Sequence, residues 1–157
     1  MKKNNLCSEI AYMSLNHEGE QLCGDHVEIV ENENSTIVVL ADGLGSGVKA
    51  NILSTLTSKI ISTMMANSLS VEDCVSTIAS TLPVCKVRGV AYSTFSIIRI
   101  TGNSEAEIIQ YDNPKVIMLR EGKNVEYATV SETIDGKNIL KSKIAIKEGD
   151  VFIAISD

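Results

Sequence analysis

The chain has 157 residues, enough to bury one sizeable core, with 44% hydrophobic and 22% charged residues, near the averages for globular chains. A formal net charge of −6, no basic stripe and few aromatic residues argue against nucleic acid as a partner. No apolar run approaches the length of a membrane span, and the four cysteines form no disulfide framework, which fits a reducing cytoplasm.

In chain order, Ile10 to Leu15 reads as a first strand and Asn16 to Glu20 as a loop. Val27–Val30 and Thr36–Ala41 read as two further strands, separated by the polar stretch Glu31-Asn32-Glu33-Asn34-Ser35. If Glu33-Asn34 are the central turn residues, Asn32 faces Ser35. Counting back along both strands then sets Asp25 opposite Asp42 across the hairpin mouth, with Cα atoms roughly 5 Å apart. Parity agrees: Asp25 shares a face with Val27 and Ile29, and Asp42 with Leu40 and Val38. Three glycines follow in Asp42-Gly43-Leu44-Gly45-Ser46-Gly47 and let the backbone approach whatever the carboxylates bind.

A helix is predicted from about Val48 to Ala66. Its apolar face would carry Val48, Ile52, Leu53, Leu56, Ile60, Ile61, Met64 and Met65, with Ser and Thr opposite. A second helix starts after Ser70 as N-cap, with Glu72 and Asp73 in its first turn, and Pro83 stops it. Strands follow near Ala91–Ile100, Glu107–Tyr111, Lys115–Arg120, Asn124–Thr129, Ile139–Ile146 and Val151–Ser156, divided by turn signals such as Asp135-Gly136. Strands at short spacing beside a pair of helices predict an α+β sandwich.

Two carboxylates that close repel each other, so either one keeps its proton or a cation lies between them. Hard oxygen donors at strand ends suit Mg²⁺ or Mn²⁺; no cysteine or histidine spacing suits zinc. The alternative is an ordinary Asp-Gly turn and a solvated loop acid. Four residues carry both bland and functional readings. Cys23 is either redox-sensitive or a small packed residue, and the second is favoured. His26 is a general-acid candidate, but the strand period turns it to the face opposite Asp25. Ser46, at the helix start, and Arg88, in the loop after the second helix, are weak candidates for binding phosphate.

Gly24-Asp25, Leu40-Ala41-Asp42-Gly43-Leu44-Gly45-Ser46-Gly47, Tyr92 to Ile98, Asn113-Pro114 and the terminal Gly149 to Asp157 together resemble the metal-dependent, type 2C serine/threonine protein phosphatases. The similarity is to the bacterial branch that includes the sporulation stage II protein E phosphatase and the sigma-regulating stress phosphatases. It implies two packed antiparallel sheets flanked by helices, an α-β-β-α sandwich, with metal ions in a cleft at one end of the sheets. It also implies that Asp25 and Asp42 carry the catalysis. Asp42 would bridge two Mn²⁺ or Mg²⁺ ions, the Gly43 carbonyl would bind one, Asp25 would bind directly or through water, and Asp157 would hold the other ion. A water activated by the two ions would then attack a phosphoserine or phosphothreonine ester.

The implied substrate is a phosphorylated regulator of the anti-anti-sigma type. Two departures are visible. Gly24 stands where the family often has an acidic ligand, and the chain stops at Asp157, where the family motif continues with Gly. The expectation is therefore one phosphatase domain cut short. Its final acidic ligand would be absent, its activity weak, and its uncovered apolar surface would favour self-association. The rival reading is a non-catalytic module that binds a phosphoprotein.

Overall fold

The computed structural model describes residues 6–156 apart from 16–17, 20–21, 44, 46, 82–83, 86–89, 92 and 103. Its elements are β1 (Asp25–Glu31), β2 (Ser35–Gly43), α1 (Gly47–Ala66), α2 (Val71–Thr81), β3 (Val84–Cys85), β4 (Val90–Ala91), β5 (Ser93–Thr101), β6 (Glu105–Tyr111), β7 (Ile117–Arg120), β8 (Lys123–Asn124), β9 (Val130–Ile134), β10 (Lys137–Ala145) and β11 (Val151–Ile153). The main sheet runs β1-β2-β5-β6-β10-β9, a second runs β11-β7-β8, and β3 pairs with β4; every pairing is antiparallel.

The six-stranded sheet separates two apolar layers, because successive strand residues point to opposite faces. On one face Ile37, Val39, Phe95, Ile97, Ile109 and Ile139 pack against Leu53, Ile61 and Met65 of α1 and Val75 and Ile78 of α2. On the other, Ile98 and Ile108 meet Val116, with Tyr127, Ile144 and Phe152 packed around them. This is an α+β fold of two packed antiparallel sheets, as expected. Among the described residues, helices cover one outer face only.

The hairpin register follows from its turn. Asn32 Oδ1 accepts from the Asn34 and Ser35 amides, at 3.3 and 2.9 Å, and from Ser35 Oγ at 2.9 Å. Asn32 N donates to the Ser35 carbonyl, closing the loop. At the start of α2, Ser70 Oγ accepts the Asp73 amide at 3.1 Å, an N-cap. The helix's predicted stop at Leu82-Pro83 lies outside the described residues.

Three sequence expectations are corrected. Residues 10–15 form no strand; they run irregularly, with Tyr12, Met13 and Leu15 exposed. The stretch Asn124–Thr129 is a strand only at Asn124, and the next strand is β9, over Val130–Ile134. The largest correction concerns α1. Its buried residues are Ala50, Leu53, Ser54, Thr57, Ser58, Ile61, Ser62 and Met65, whereas Val48, Ile52 and Leu56 are exposed.

The helix thus turns much of its Ser/Thr stripe to the sheet. The hydroxyls of Ser54, Ser58 and Ser62 donate to the carbonyls of Asn51, Thr55 and Lys59 one turn back, at 3.0–3.3 Å, so their burial leaves no unmet donor. Small side chains let the helix come close. A Cβ on Gly43 would fall 2.0 Å from the Ala50 carbonyl oxygen, so helix backbone rests directly on strand backbone.

Candidate metal centre

β1 and β2 pair with Asp25 opposite Asp42. The Asn32–Ser35 pair is hydrogen-bonded, and so is Gly43 N to Gly24 O, at 3.0 Å. Hydrogen-bonded and open pairs alternate along an antiparallel ladder, so Asp25 and Asp42 fall on an open pair. There Cα atoms are about 4.5 Å apart and side chains are closest. Both residues are half-buried. They share the face of Val27 and Leu40, the face that looks toward the second sheet.

β5 extends the row. Thr94 is the partner of Asp42 on the other side of β2. Ser93 Oγ donates to the Asp42 carbonyl at 3.1 Å and stitches the two strands at this level. The chain segment after β11 reaches the row from the far end of the sequence: Ser156 Oγ donates to Asp25 Oδ2 at 2.5 Å. Ser156 lies within the terminal Gly149–Asp157 motif, in which the sequence gives it no role of its own. Its position just before Asp157 was the available signal, and it is the described link between that motif and the hairpin.

The helix start is locked to the same place. Asn51 Nδ2 donates to the Cys23 carbonyl at 2.9 Å, and Ala50 lies against both Gly43 and Gly24. A Cβ on Gly24 would be 3.2 Å from the Ala50 Cβ, so a larger residue there must push against the first turn of α1. That crowding gives a physical reason for glycine at the position where the resemblance leads one to look for an acid. Gly45 and Gly47 take φ values of 88° and 71°, the left-handed region in which glycine is at ease.

Cys23 is packed: its Sγ donates to the Leu15 carbonyl and accepts the Asp25 amide, both at 3.4 Å. His26 points away from the carboxylates. Its Nε2 lies 2.8 Å from Glu28 Oε1, and Lys59 of α1 is 3.1 Å from the same oxygen. Burial works to raise the Glu28 carboxyl, but the hydrogen bonds from His26 and Lys59 outweigh it and hold the group below its ordinary range.

A cleft of about 990 Å³ lies on the Asp25 face. Val27, Val38, Leu40, Ile98 and Ile100 form its floor, residues 6–15 and 146–156 its other walls, and Asp25 and Ser156 its polar end. Asp42 is the same-face neighbour of Asp25 but does not line this cleft. The space is chiefly an apolar gap between layers, so chemistry at the carboxylate row occupies its end and not its middle.

The remaining site candidates, Ser46, Arg88 and Asp157, lie outside the described residues. Among the described residues no group of three or more His, Cys, Asp or Glu side chains gathers to hold a metal. The donors present are two carboxylates and the Gly43 carbonyl, all oxygen, which fits one hard cation such as Mg²⁺ or Mn²⁺.

The comparisons agree with this architecture. The family model for stage II sporulation protein E (SpoIIE) matches residues 32–157. Among solved structures, the PP2C phosphatase domain with a fragment of the regulatory domain of SpoIIE from Bacillus subtilis superposes with a TM-score of 0.76 at 19% identity. The match covers 92% of this chain and 43% of that one. RsbX in complex with magnesium gives 0.66 at 22% identity, over 89% of this chain and 71% of that one. The RsbU and RsbW domains of Rv1364c from Mycobacterium tuberculosis give 0.68 at 14% identity, over 88% and 40%. No curated protein sequence matches.

Proposed function

Since this chain belongs to the stage II sporulation protein E family, we propose that it is the metal-binding part of a protein serine/threonine phosphatase acting on a phosphorylated regulatory protein. The observation that carries the reading is the open, same-face pairing of Asp25 with Asp42 at the end of the inter-sheet face. Two adjacent half-buried carboxylates are costly unless a cation or proton separates them. A hard divalent ion is the counter-charge their oxygens suit.

When bound, Mg²⁺ or Mn²⁺ supplies charge for a phosphoryl group and an acidified water as nucleophile. The chain's own residues hold the place. Asp42 and Asp25 offer carboxylate oxygens from neighbouring strands, the Gly43 carbonyl adds a third donor, and Ser156 fixes one Asp25 oxygen by donating to it. We assign Asp157 to a second ion, next in sequence to Ser156. Ser46 and Arg88 are the candidates for gripping phosphate. The substrate class is a phosphoserine or phosphothreonine ester in a small signalling protein. A cytoplasmic setting is part of the proposal; among the described residues no helix is long and apolar enough to cross a membrane.

A second reading, a regulatory module without catalysis, is favoured by one observation: Gly24 stands against Ala50 where a further acid would have to fit, leaving two carboxylates among the described residues. One experiment separates the two. In the protein at its full natural length, Mn²⁺-dependent hydrolysis of p-nitrophenyl phosphate is expected, and Asp42→Ala should cut it by more than about a hundredfold with the fold retained. Wild-type protein that binds a phosphopeptide but never turns over supports the second reading. Near-normal turnover by Asp42→Ala would remove Asp42 from the mechanism.

A further inference from the structure

β11 and the residues that flank it run along one wall of the inter-sheet cleft and are tied down at both ends. Ahead of the strand, Asp150 accepts two 2.8 Å bonds from the Arg120 guanidinium and one of 2.7 Å from the Lys147 amide. The strand itself is short and lies at the edge of its sheet, with three register partners on β7. Beyond Ile153 the ladder stops, but the alternation does not: Val151, Ile153 and Ile155 are exposed, so Phe152, Ala154 and Ser156 face the main sheet. Phe152 and Ala154 pack on the cluster of Ile98, Ile108 and Val116.

Ser156 makes the second tie. Its hydroxyl reaches Asp25 Oδ2 at 2.5 Å across 131 positions of sequence, and so joins the edge of the second sheet to β1 at the polar end of the cleft. The main chain at Asp25 is already fixed. Its amide donates to Cys23 Sγ at 3.4 Å, and the Gly24 carbonyl before it accepts the Gly43 amide at 3.0 Å. What remains is rotation of the carboxylate. A hydroxyl bonded to one oxygen sets the plane of the group, and with it the aim of the other oxygen.

We propose that Ser156 is a positioning residue that links two events: the seating of the β11 segment on the main sheet, and the binding of a divalent cation by Asp25. The inference rests on the metal reading above and uses Asp25 alone of its carboxylates. With the segment seated, the carboxylate is oriented before the ion arrives. With the segment lifted, the ion must order it. Outer partners of this kind typically change metal affinity by about tenfold or more. Such coupling is reciprocal, so the ion holds the segment down by the same factor by which the seated segment favours the ion.

The test combines Mn²⁺ binding to the whole chain, read by electron paramagnetic resonance and calorimetry, with hydrogen exchange of the β11 amides with and without saturating Mg²⁺. Circular dichroism confirms folding. Ser156→Ala should weaken Mn²⁺ binding about tenfold, whereas Ser156→Thr, which keeps the hydroxyl, should bind within about threefold of wild type. Asp157 is itself assigned to an ion, so exchange is compared in the chain carrying Asp157→Ala. There Mg²⁺ should slow the β11 amides about tenfold, and adding Ser156→Ala should abolish the slowing. A merely structural bond would speed exchange equally with and without Mg²⁺ and leave Mn²⁺ affinity unchanged; that result overturns the inference. Binding that depends on Asp25 but is as weak in Ser156→Thr as in Ser156→Ala overturns it too. Wild-type chain that binds no Mn²⁺, or binds it as tightly after Asp25→Asn, overturns the metal reading and this inference with it.

Discussion

Gly43→Ala is the substitution that most directly probes how the candidate site is built. The glycine is needed for space: the added Cβ would sit 2.0 Å from the Ala50 carbonyl oxygen, 2.6 Å from its carbon and 2.8 Å from its Cα. These are backbone atoms of α1, so no side chain can swing aside. The first turns of α1 must withdraw by about 1 Å, against a close-packed interface that includes Ala50 and Leu53. Overpacking of this kind costs about 1–3 kcal/mol, and backbone against backbone belongs at the top of that range. For a chain of this size, about 3 kcal/mol lowers the melting temperature by about 6–12 °C. Urea denaturation monitored by circular dichroism measures the loss. Gly45→Ala is the control, since nothing lies within 4 Å of its added Cβ and only its φ of 88° resists, at about 1 kcal/mol. If Gly43→Ala is within about 0.5 kcal/mol of wild type, the close seating of α1 on β2 is wrong, and with it the account of the buried serine stripe.

Two further predictions follow from packing and charge. Ser58, fully buried on the sheet-facing side of α1, should not tolerate leucine: Ser58→Leu should cost about 2–3 kcal/mol, while Val48→Ser, at a 62% exposed position on the same helix, should cost less than about 1 kcal/mol; denaturation curves showing the reverse order would put the apolar ridge back against the sheet. Arg120 grips Asp150 with two 2.8 Å bonds, and the Asp150 side chain is 3% exposed, so Arg120→Ala, which leaves that carboxylate without its guanidinium, should lower stability at neutral pH. Those Arg120 hydrogen bonds, against a smaller effect of burial, hold the Asp150 carboxyl below its ordinary range. The pair's contribution is therefore complete above the ordinary Asp value of about 3.9 and is lost as pH falls through the lowered one, so the gap between wild type and Arg120→Ala should shrink in acid; a gap unchanged at pH 2 contradicts this.

The parts of this fold that could be read from sequence are those governed by local geometry. Asn32 to Ser35 closes the hairpin through contacts at most three residues apart, and a two-residue turn then fixes every partner along β1 and β2, Asp25 and Asp42 included. Ser70 capped α2 as its sequence suggested. The face of α1 was misread because polarity was taken as exposure. Serines that bond to their own helix carbonyls are inexpensive to bury, and their small size is what the contact with Gly43 demands. β9 escaped notice for a different reason. It is an edge strand with only Ile134 buried, so its sequence Val-Ser-Glu-Thr-Ile carries no alternation. Ile10 to Leu15 has the composition of a strand, yet among the described residues no sheet edge pairs with it. Ser156 on Asp25 and Asn113 on Thr94 join segments 131 and 19 residues apart, beyond the reach of any spacing rule.

The row that holds the carboxylates also explains why they are confined to one end of the sheet. Along β2 the inter-sheet face reads Val38, Leu40, Asp42, and along β5 it reads Ile98, Ser96, Thr94, so both strands pass from apolar to polar in the same direction. The apolar half lies with Ile108, Val116 and Phe152 under the second sheet. The polar half runs out toward the strand ends, where Ser156 and Asn113 arrive from other parts of the chain. A strand period of two forces Asp42 onto the same face as Leu40, so the apolar packing that fixes the register fixes the carboxylate too. Shifting β2 by one residue would bury Asp42 against α1 and take Ile37 and Val39 out of the helix-facing core, at a cost no surface residue could offset. The position of the candidate site is therefore guaranteed by the core itself. A cation that binds the paired carboxylates gains a preformed place, and mass action returns part of that binding energy to the hairpin as stability.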